Sequence, residues 1–254
     1  MGSTEHAELA ARAREFRHEV QAAVCDVFEP WGHGTVVRAT RFPDYFDFNV
    51  VRVEEDPGMS VAALAAFADQ ALDGLRHRRM DFEDSDAAEA LRPSFEALGW
   101  MTERLVWMRH ETPPPAGPDI AVEEVPYDEA VHRLQVDWFF EDFPDLDPGD
   151  FFAQAKEADA RLGSRVLAVQ RAGVPVGYAK VDRVGASAEV AQVYVSPDHR
   201  GGGLGTALTR AAIELADDAD ETWIVADDEG RPKELYARLG FRPVWTAIEA
   251  LRPG

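Results

Sequence analysis

Four glycines fall within five residues after a strand-like segment and before a helix-like one, and this run constrains the fold more than any other feature. The glycines are Gly201, Gly202, Gly203 and Gly205, and the apolar spacing that follows predicts a helix from Gly203 to Ala216. Glycines let successive backbone N–H groups face one concavity, and a helix N-terminus adds partial positive charge. The segment therefore predicts an α/β fold with a phosphate site at a strand end. A flexible connector is the alternative interpretation.

The chain around this run alternates strand-like and helix-like segments. Arg171-Ala172-Gly173 between two apolar runs is typical of a β-hairpin. The pattern predicts a mixed sheet with helices on both faces. The predicted strands are 120–125, 165–170, 174–181, 189–195, 222–226 and 244–248, and a further helix is predicted over 232–238.

A proline-rich run divides the chain. Residues 113–118 contain four prolines, which lack N–H donors and restrict the residues before them. This run reads as a semi-rigid linker. We therefore expect an N-terminal domain over 1–112, a linker over 113–118 and a C-terminal domain over 119–254.

A faint internal repeat links the two parts. The first part ends with a segment of helical spacing over 87–97, which is followed by Leu98-Gly99-Trp100 and then by a strand-like segment. The second part ends in the same way, with a segment of helical spacing over 232–238, then Leu239-Gly240-Phe241 and a strand-like segment. Glycine at such a position suits a left-handed helix C-terminus. Upstream, a strand-like segment (48–53) before a helix (61–75) corresponds to the strand and helix around the glycine run. Two copies of one α/β fold are predicted.

Composition excludes several classes of protein. The 254 residues carry a formal net charge of −21, which disfavours binding to nucleic acid. This charge either keeps the protein soluble or attracts cationic small molecules and basic peptides. No apolar run is long enough to span a bilayer, so we expect no membrane partner and a cytoplasmic protein. Cys25 is the only cysteine, and the seven histidines show no ligand spacing. No disulfide or metal site is expected.

The glycine run also resembles a known family. Arg200-x-x-Gly203-x-Gly205 is similar to the pyrophosphate-loop motif of the GNAT N-acetyltransferase superfamily, which binds acetyl-coenzyme A. The resemblance extends to the hairpin at 173–179, the strand at 193–195 and the segment 235–241. It covers nearly all of 119–254. It implies two GNAT-like α/β domains in tandem, with acetyl-CoA as co-substrate and no metal.

The resemblance assigns roles residue by residue. Tyr236 would lie near the thioester sulfur, and Glu189 would accept the amine proton directly or through water. For Tyr236 the alternative is a half-buried helix aromatic, and for Glu189 it is a solvated carboxylate at a strand end. The backbone N–H of Val193 would polarise the thioester carbonyl. The expected coenzyme-binding residues are Val193, Tyr194, Val195, Arg200, Gly201, Gly202, Gly203, Leu204, Gly205 and Thr206.

The first part is expected to be a degenerate copy. Phe95 aligns with Tyr236 and lacks its hydroxyl, and residues 54–60 carry three carboxylates where the glycine run should be. We expect this part to bind no coenzyme and to shape the acceptor pocket. Within the C-terminal part, Glu229 stands where relatives often have an asparagine, which would add negative charge near the ligand.

The expected function is acetyl transfer to a primary amine by direct attack in a ternary complex. The acceptor is a small molecule or peptide that the sequence does not identify, and the protein is a monomer or homodimer. Other acyl donors or an alcohol acceptor stay open. Rival hypotheses are a silent CoA-binding regulator or sensor and a non-catalytic interaction protein. The aromatic and acidic residues of 137–152 are either a mouth for a cationic amine or two short helices with core aromatics.

Overall fold

A mixed sheet of eleven strands runs through residues 3–254, the part of the chain that this computed structural model describes. The first two residues of the expected domain 1–112 lie outside it. The strands are β1 (Val27–Trp31), β2 (Gly34–Arg38), β3 (Val50–Val53), β4 (Arg78–Phe82), β5 (Met101–His110), β6 (Glu123–Val125), β7 (Arg165–Arg171), β8 (Val174–Val184), β9 (Ser187–Val195), β10 (Glu221–Asp227) and β11 (Phe241–Arg252).

Helices cover both faces of this sheet, as the alternating pattern predicts. Short 3₁₀ turns at Phe46–Phe48 and Pro197–His199 add to them. The helices are α1 (Ser3–Val24), α2 (Val61–Ala71), α3 (Ser85–Glu89), α4 (Arg92–Ala97), α5 (Glu129–Asp142), α6 (Phe151–Arg161), α7 (Leu204–Leu215) and α8 (Pro232–Arg238).

The strand order shows the internal repeat directly. It reads β1-β2-β3-β4-β11-β5-β10-β9-β8-β7-β6. Strands β1 to β5 of the first half correspond to β7 to β11 of the second. Apart from β6, which has no counterpart, the order is symmetric about the β11–β5 pair. Gly99 and Gly240, which precede β5 and β11, have φ of 80° and 98°, as a left-handed helix end requires.

The last strand of each half is exchanged. β11 of the second half lies antiparallel between β4 and β5, and β5 of the first half lies antiparallel between β11 and β10. The two sequence halves therefore build one continuous sheet. The approach at the exchange is close, because a Cβ on Gly240 would lie 1.9 Å from the carbonyl oxygen of Thr112.

Helix α1, which the sequence patterns above did not predict, covers the centre of the sheet. Its Leu9, Ala13 and Phe16 pack against Trp107 and Trp223, in the middle strands. These apolar residues recur at spacings of three and four along α1, which is the pattern of a helix with one buried face. Trp100 and Trp245 are buried as well, whereas Trp31 is half-buried near the β1 edge and stacks on Phe67.

Several predicted elements differ from the structure. The helix predicted over 61–75 ends at Ala71, and the strand predicted over 48–53 begins at Val50. Helical spacing over Ala87–Ala97 predicts one helix, but α3 and α4 are separate, because Pro93 fits only the first turn of a helix. The strand predicted over Ile120–Val125 begins at Glu123. Residues 113–122, which include the expected linker, contain no helix or strand.

Candidate active site

Strands β9 and β10 run side by side at one end of the second half and diverge at the other. Their parallel pairing runs from Ser187 opposite Glu221 to Val190 opposite Ile224, where it ends. Directly after it, Ala191 forms a bulge in the pairing of β9 with β8. A bulge bends a strand and increases its twist, so it turns β9 away from β10 at this point.

Beyond the bulge, the gap-facing backbone of β9 is free of strand partners in the described chain. The N–H of Ser196 donates to the carbonyl of Val176 in β8, at 2.9 Å. Because backbone groups alternate in direction along a strand, those of Val193 and Val195 point away from β8 and into the gap. The backbone of Tyr194 faces β8, and its buried side chain packs beside Tyr178.

The glycine run turns the chain from β9 into α7. Gly201 and Gly203 have φ of 79° and 80°, a conformation that glycine adopts without a steric penalty. The first helical hydrogen bond of α7 runs from Ala207 N–H to Gly203 C=O at 3.0 Å, so the N–H groups of Gly205 and Thr206 in the preceding turn have no partner within the helix. Leu204 anchors the turn in the core at 3% exposure. The result is a set of backbone donors at a helix N-terminus.

A cavity of about 840 Å³ lies against these donors; we call it the loop cavity. Besides the glycine run, the end of β9 and residues of α5 and α8 line it. Arg231 and Arg238 supply two cations to its rim, and neither has an ion pair among residues 3–254. An open cleft with backbone donors and unpaired arginines suits an elongated polyanion.

A second cavity of about 440 Å³ adjoins the first; we call it the polar cavity. It shares Trp138, Val193, Pro232 and Tyr236 with the loop cavity. Both halves of the chain contribute to its walls. Residues from the first half include Arg17, Gln21, Tyr45, Asp47 and Arg79, and residues from the second include Gln135, Lys180, Asp182, Glu189 and Asp227.

Tyr236 stands where the two cavities meet. Its side chain extends from α8, is 7% exposed and packs on Phe241. Its hydroxyl has no hydrogen-bond partner in the part of the chain that the structure describes. Burial raises the pKa of the phenol to about 12, so the hydroxyl keeps its proton at neutral pH. It is available as a hydrogen-bond donor toward either cavity.

Glu189 lies deeper in the polar cavity, four residues before Val193. Within residues 3–254 its carboxylate has neither an ion pair nor a hydrogen bond. Burial, together with the nearby Asp182, raises its pKa to about 8. A carboxyl group with this pKa can accept a proton at slightly alkaline pH, as a general base must.

The Arg200 side chain binds protein groups. Its Nε donates to the carbonyl of Val195 at 2.8 Å, and both terminal nitrogens donate to Glu141 of α5. The guanidinium also lies over the ring of Tyr194, 5.6 Å from its centroid. Arg200 therefore fastens α5 to the glycine run, a contact that the sequence did not indicate.

Ion pairs at the floor of the polar cavity were also absent from the sequence prediction. Arg17 of α1 donates to Asp81 at 2.5 Å and to Glu249 at 3.3 Å. Arg79 donates to Asp81, Asp47 and Glu249. Burial alone would raise the pKa of Asp81, but the two arginines hold it below its usual range. The network joins α1, β4 and β11 beneath the cavity.

Part of the stretch 137–152 lies in the core, and part of it lines the cavities. Phe139 and Phe151, on α5 and α6, are 0% and 2% exposed and pack together, which confirms the core interpretation for them. Trp138, by contrast, lines both cavities.

The corresponding region of the first half is closed. β3 stays paired with β4 to its last residue, Val53 opposite Phe82, and Glu83 N–H donates to Val53 C=O at 2.9 Å. The cavity beside the loop 54–60 measures about 10 Å³. Phe95, the counterpart of Tyr236, is fully buried between Phe82 and Trp100.

Glu229 is paired across the two halves. Arg92 of α4 donates to both of its carboxylate oxygens, at 3.2 and 2.9 Å. Glu229 also does not line the loop cavity. The negative charge expected near the ligand at this position is thus compensated by the first half.

Two other groups bear on the chemistry. The Cys25 thiol is buried and donates to the carbonyl of Phe48, and burial raises its pKa to about 12. Within residues 3–254, no group of three or more His, Cys, Asp or Glu side chains is arranged to hold a metal ion. Over the same residues, no helix combines the length and apolarity needed to cross a membrane.

Comparison with known proteins assigns the second half. A model of the acetyltransferase (GNAT) family matches residues 129–241, which include β9, the glycine run and α8. The matched region, residues 129–241, is identified by this model as a GNAT acetyltransferase domain. An uncharacterized N-acetyltransferase of Methanocaldococcus jannaschii is 39% identical over 80 residues, which cover 27% of this chain. That match spans 35% of the relative, about a third of its length.

Solved structures extend the likeness over both halves. A functionally unknown conserved protein from Staphylococcus epidermidis matches with a TM-score of 0.67 and 14% identity, covering 91% of this chain and 94% of that one. A GCN5-related N-acetyltransferase from Sphaerobacter thermophilus matches with a TM-score of 0.52 and 15% identity, covering 80% of this chain and 73% of that one. A tandem GNAT protein from the clavulanic acid biosynthesis pathway matches with a TM-score of 0.50 and 16% identity, covering 80% of this chain and 75% of that one. At these identities the likeness concerns the fold, which is that of GNAT domains in tandem.

Proposed function

We propose that the protein is an acetyl-CoA-dependent N-acetyltransferase that acts on the primary amine of a small molecule or peptide. Transfer occurs by direct attack within a ternary complex. The observation that carries this proposal is the junction of the loop cavity and the polar cavity at Tyr236 and Val193, beside the gap between β9 and β10. A thioester at that junction faces an acceptor in the polar cavity.

The loop cavity fits acetyl-CoA as a substrate. The N–H groups at the start of α7 suit the pyrophosphate, and the unpaired Arg231 and Arg238 suit further phosphate charge. The free backbone groups of Val193 suit the pantetheine amides, which would add to β9 as a strand does. The overall charge of −21 gives no such help, so binding depends on these local groups.

The residues at the junction suit acyl transfer. The amine nitrogen attacks the thioester carbon, the new C–N bond forms and the C–S bond breaks. Val193 N–H would stabilise negative charge on the carbonyl oxygen. Glu189 would take the amine proton through water, and Tyr236 would donate a hydrogen bond to the leaving thiolate. Full proton transfer from a phenol of pKa about 12 to a thiolate of pKa about 8.5 is unfavourable, so we assign Tyr236 a stabilising role.

The first half has a supporting role in this proposal. Its paired β3 and β4 leave no gap for pantetheine, and three carboxylates occupy its loop, so we propose that it binds no coenzyme. It contributes Arg17, Gln21 and Tyr45 to the polar cavity instead. A buried thiol with a raised pKa also makes Cys25 unsuited to a covalent acetyl-enzyme.

Two measurements test the proposal. Calorimetry with acetyl-CoA tests binding, and release of free coenzyme thiol, monitored across a library of primary amines, tests turnover. A transferase gives both signals. Binding without thiol release for any amine would favour the CoA-binding sensor, and absence of binding would favour an interaction protein.

A further inference from the structure

Two carboxylates face each other on neighbouring strands inside the polar cavity. Asp182 of β8 is directly opposite Glu189 of β9, and both line the cavity. Side chains in this relation have Cβ atoms about 5 Å apart, and like charges there are destabilising. Asp182 is 5% exposed, and within residues 3–254 it accepts a hydrogen bond only from the hydroxyl of Ser164. Neither carboxylate has an ion pair in the described residues.

The cations near this acidic pair are engaged elsewhere. Lys180 donates to Asp159 at 2.6 Å, and Arg17 donates to Asp81 and Glu249. Burial raises the pKa of Asp182, in spite of the lysine two residues away. Among the described residues Asp182 therefore has no cationic partner of its own, and a bound cation would supply one.

The rest of the wall of the polar cavity also favours the binding of a cation. The charged side chains that line it are three cations (Arg17, Arg79, Lys180) and five acids (Asp47, Asp182, Glu189, Asp227, Glu249). Aromatic side chains complete the wall, and their faces attract cations; they are Tyr45, Phe48, Trp107, Trp138, Phe151 and Tyr236. An acceptor with a carboxylate would meet repulsion here, whereas a second ammonium would be attracted.

We propose that the acceptor is an aliphatic diamine, with its second ammonium bound by Asp182. This rests on the proposed function and names the substrate class of the same site. Glu189 lies four residues, or roughly 13 Å of extended strand, from Val193. Asp182 is at the level of Glu189, so an ammonium bound by Asp182 lies apart from the thioester at Val193, as the two ends of a diamine do. One amine attacks the thioester, its proton leaves through Glu189, and the second amine stays protonated.

Four matched amines test the inference: 1,4-diaminobutane, n-butylamine, 4-aminobutan-1-ol and 4-aminobutanoate. They share a four-carbon chain and differ in the distal group. We expect kcat/KM for the diamine to exceed that for butylamine by about tenfold or more, well above the factor of two from its two equivalent amines. The aminobutanoate should be slowest. A diamine no faster than butylamine, or an aminobutanoate that is faster, would overturn the inference.

The variant Asp182→Asn keeps the shape and the hydrogen bond with Ser164 but removes the charge. We expect the ratio of kcat/KM for diamine over butylamine to fall about tenfold, through a higher KM for the diamine. The matched control is Asp73→Asn, which removes one charge from an exposed side chain outside the cavity. An unchanged ratio in Asp182→Asn, or an equal fall in Asp73→Asn, would contradict the assignment.

Binding separates this inference from the proposed function. Calorimetry measures each amine against the wild-type protein saturated with free coenzyme A, which has no acetyl group to transfer. Tight diamine binding without acetylation of any amine would support the diamine site and refute the transferase. Acetylation of several amines, with the diamine bound no more tightly than butylamine, would support the transferase and refute the diamine site.

Discussion

Arg200 holds Glu141 through two hydrogen bonds of 2.7 Å, one to each carboxylate oxygen. The same guanidinium donates to the backbone of Val195. The pair therefore connects α5, which supplies Trp138 to both cavities, with the glycine run that begins one residue after Arg200. The hydrogen bonds from Arg200 keep the pKa of Glu141 below its usual value, so the carboxylate is charged at neutral pH.

This pair predicts how Glu141 affects coenzyme binding. Glu141 lines the loop cavity, so the change Glu141→Gln removes a negative charge that opposes phosphate and frees Arg200 to approach it. We expect the Kd for acetyl-CoA, measured by calorimetry, to fall about two- to fivefold. Asp137→Asn, an exposed position on the same helix, is the control and should leave the Kd unchanged. Weaker coenzyme binding in Glu141→Gln would contradict this account of the pair.

Replacement of Tyr236 by phenylalanine should separate rate from affinity. The ring keeps its packing on Phe241, while the hydroxyl that is proposed to stabilise the thiolate is lost. We expect kcat to fall about 10- to 100-fold with the Kd for acetyl-CoA within a factor of two. Steady-state thiol release and calorimetry give the two values. A variant with full kcat would remove Tyr236 from the mechanism.

The pH dependence should report Glu189. A base must be deprotonated to act, and with a pKa of about 8 only about one tenth of Glu189 is ionised at pH 7. We therefore expect kcat at saturating amine to rise about tenfold from pH 7 to pH 9. In the variant Glu189→Gln, this rise of kcat with pH should be absent, and kcat should be lower at every pH from 7 to 9. An identical pH profile in the variant would assign the proton to another acceptor.

Matched glycines in the two halves test which loop binds coenzyme. Gly201 and Gly58 both have positive φ, 79° and 58°, and a Cβ on either meets no atom within 4 Å. Alanine at either site should therefore destabilise the fold equally, by about 1 kcal/mol. Only Gly201→Ala should weaken acetyl-CoA binding, by about tenfold or more, because only Gly201 lines the loop cavity. Equal effects on the Kd would refute a coenzyme site confined to the second half.

The ion network beneath the polar cavity should contribute strongly to stability. Arg79→Met leaves Asp47, Asp81 and Glu249 without their shared partner, and removal of one partner from a buried network typically costs about 3–5 kcal/mol. Arg38→Met breaks a surface pair with Glu29 and should cost about 0–1 kcal/mol. Urea unfolding compares the two. Equal losses would show that the network does not stabilise the fold.

Local signals in the sequence predicted the second half well. The glycine run, the hairpin and the helix over 232–238 depend on neighbouring residues, and each has the predicted type in the structure. Gly99 and Gly240 were predictable for the same reason, because a left-handed helix end is a local conformation.

Contacts between distant residues were not predictable in this way. Arg17 and Asp81 are 64 residues apart, and Arg92 and Glu229 are 137 apart, so no spacing rule links them. The apolar residues of α1 recur at helical spacing and could have predicted this helix, but nothing in that spacing indicates that Arg17 reaches the polar cavity. The exchange of β5 and β11 depends on a choice of partner between two similar strands, which a repeat in sequence leaves undetermined.

That exchange has a consequence for how the protein is made. During synthesis, β4 leaves the ribosome more than 150 residues before β11, and its edge stays open until the final strand arrives. An open edge accepts any matching strand, including the β11 of another molecule. At high concentration, two nascent chains can thus exchange their β11 strands and form a domain-swapped dimer, in which the strand contacts of the single chain are made between two molecules.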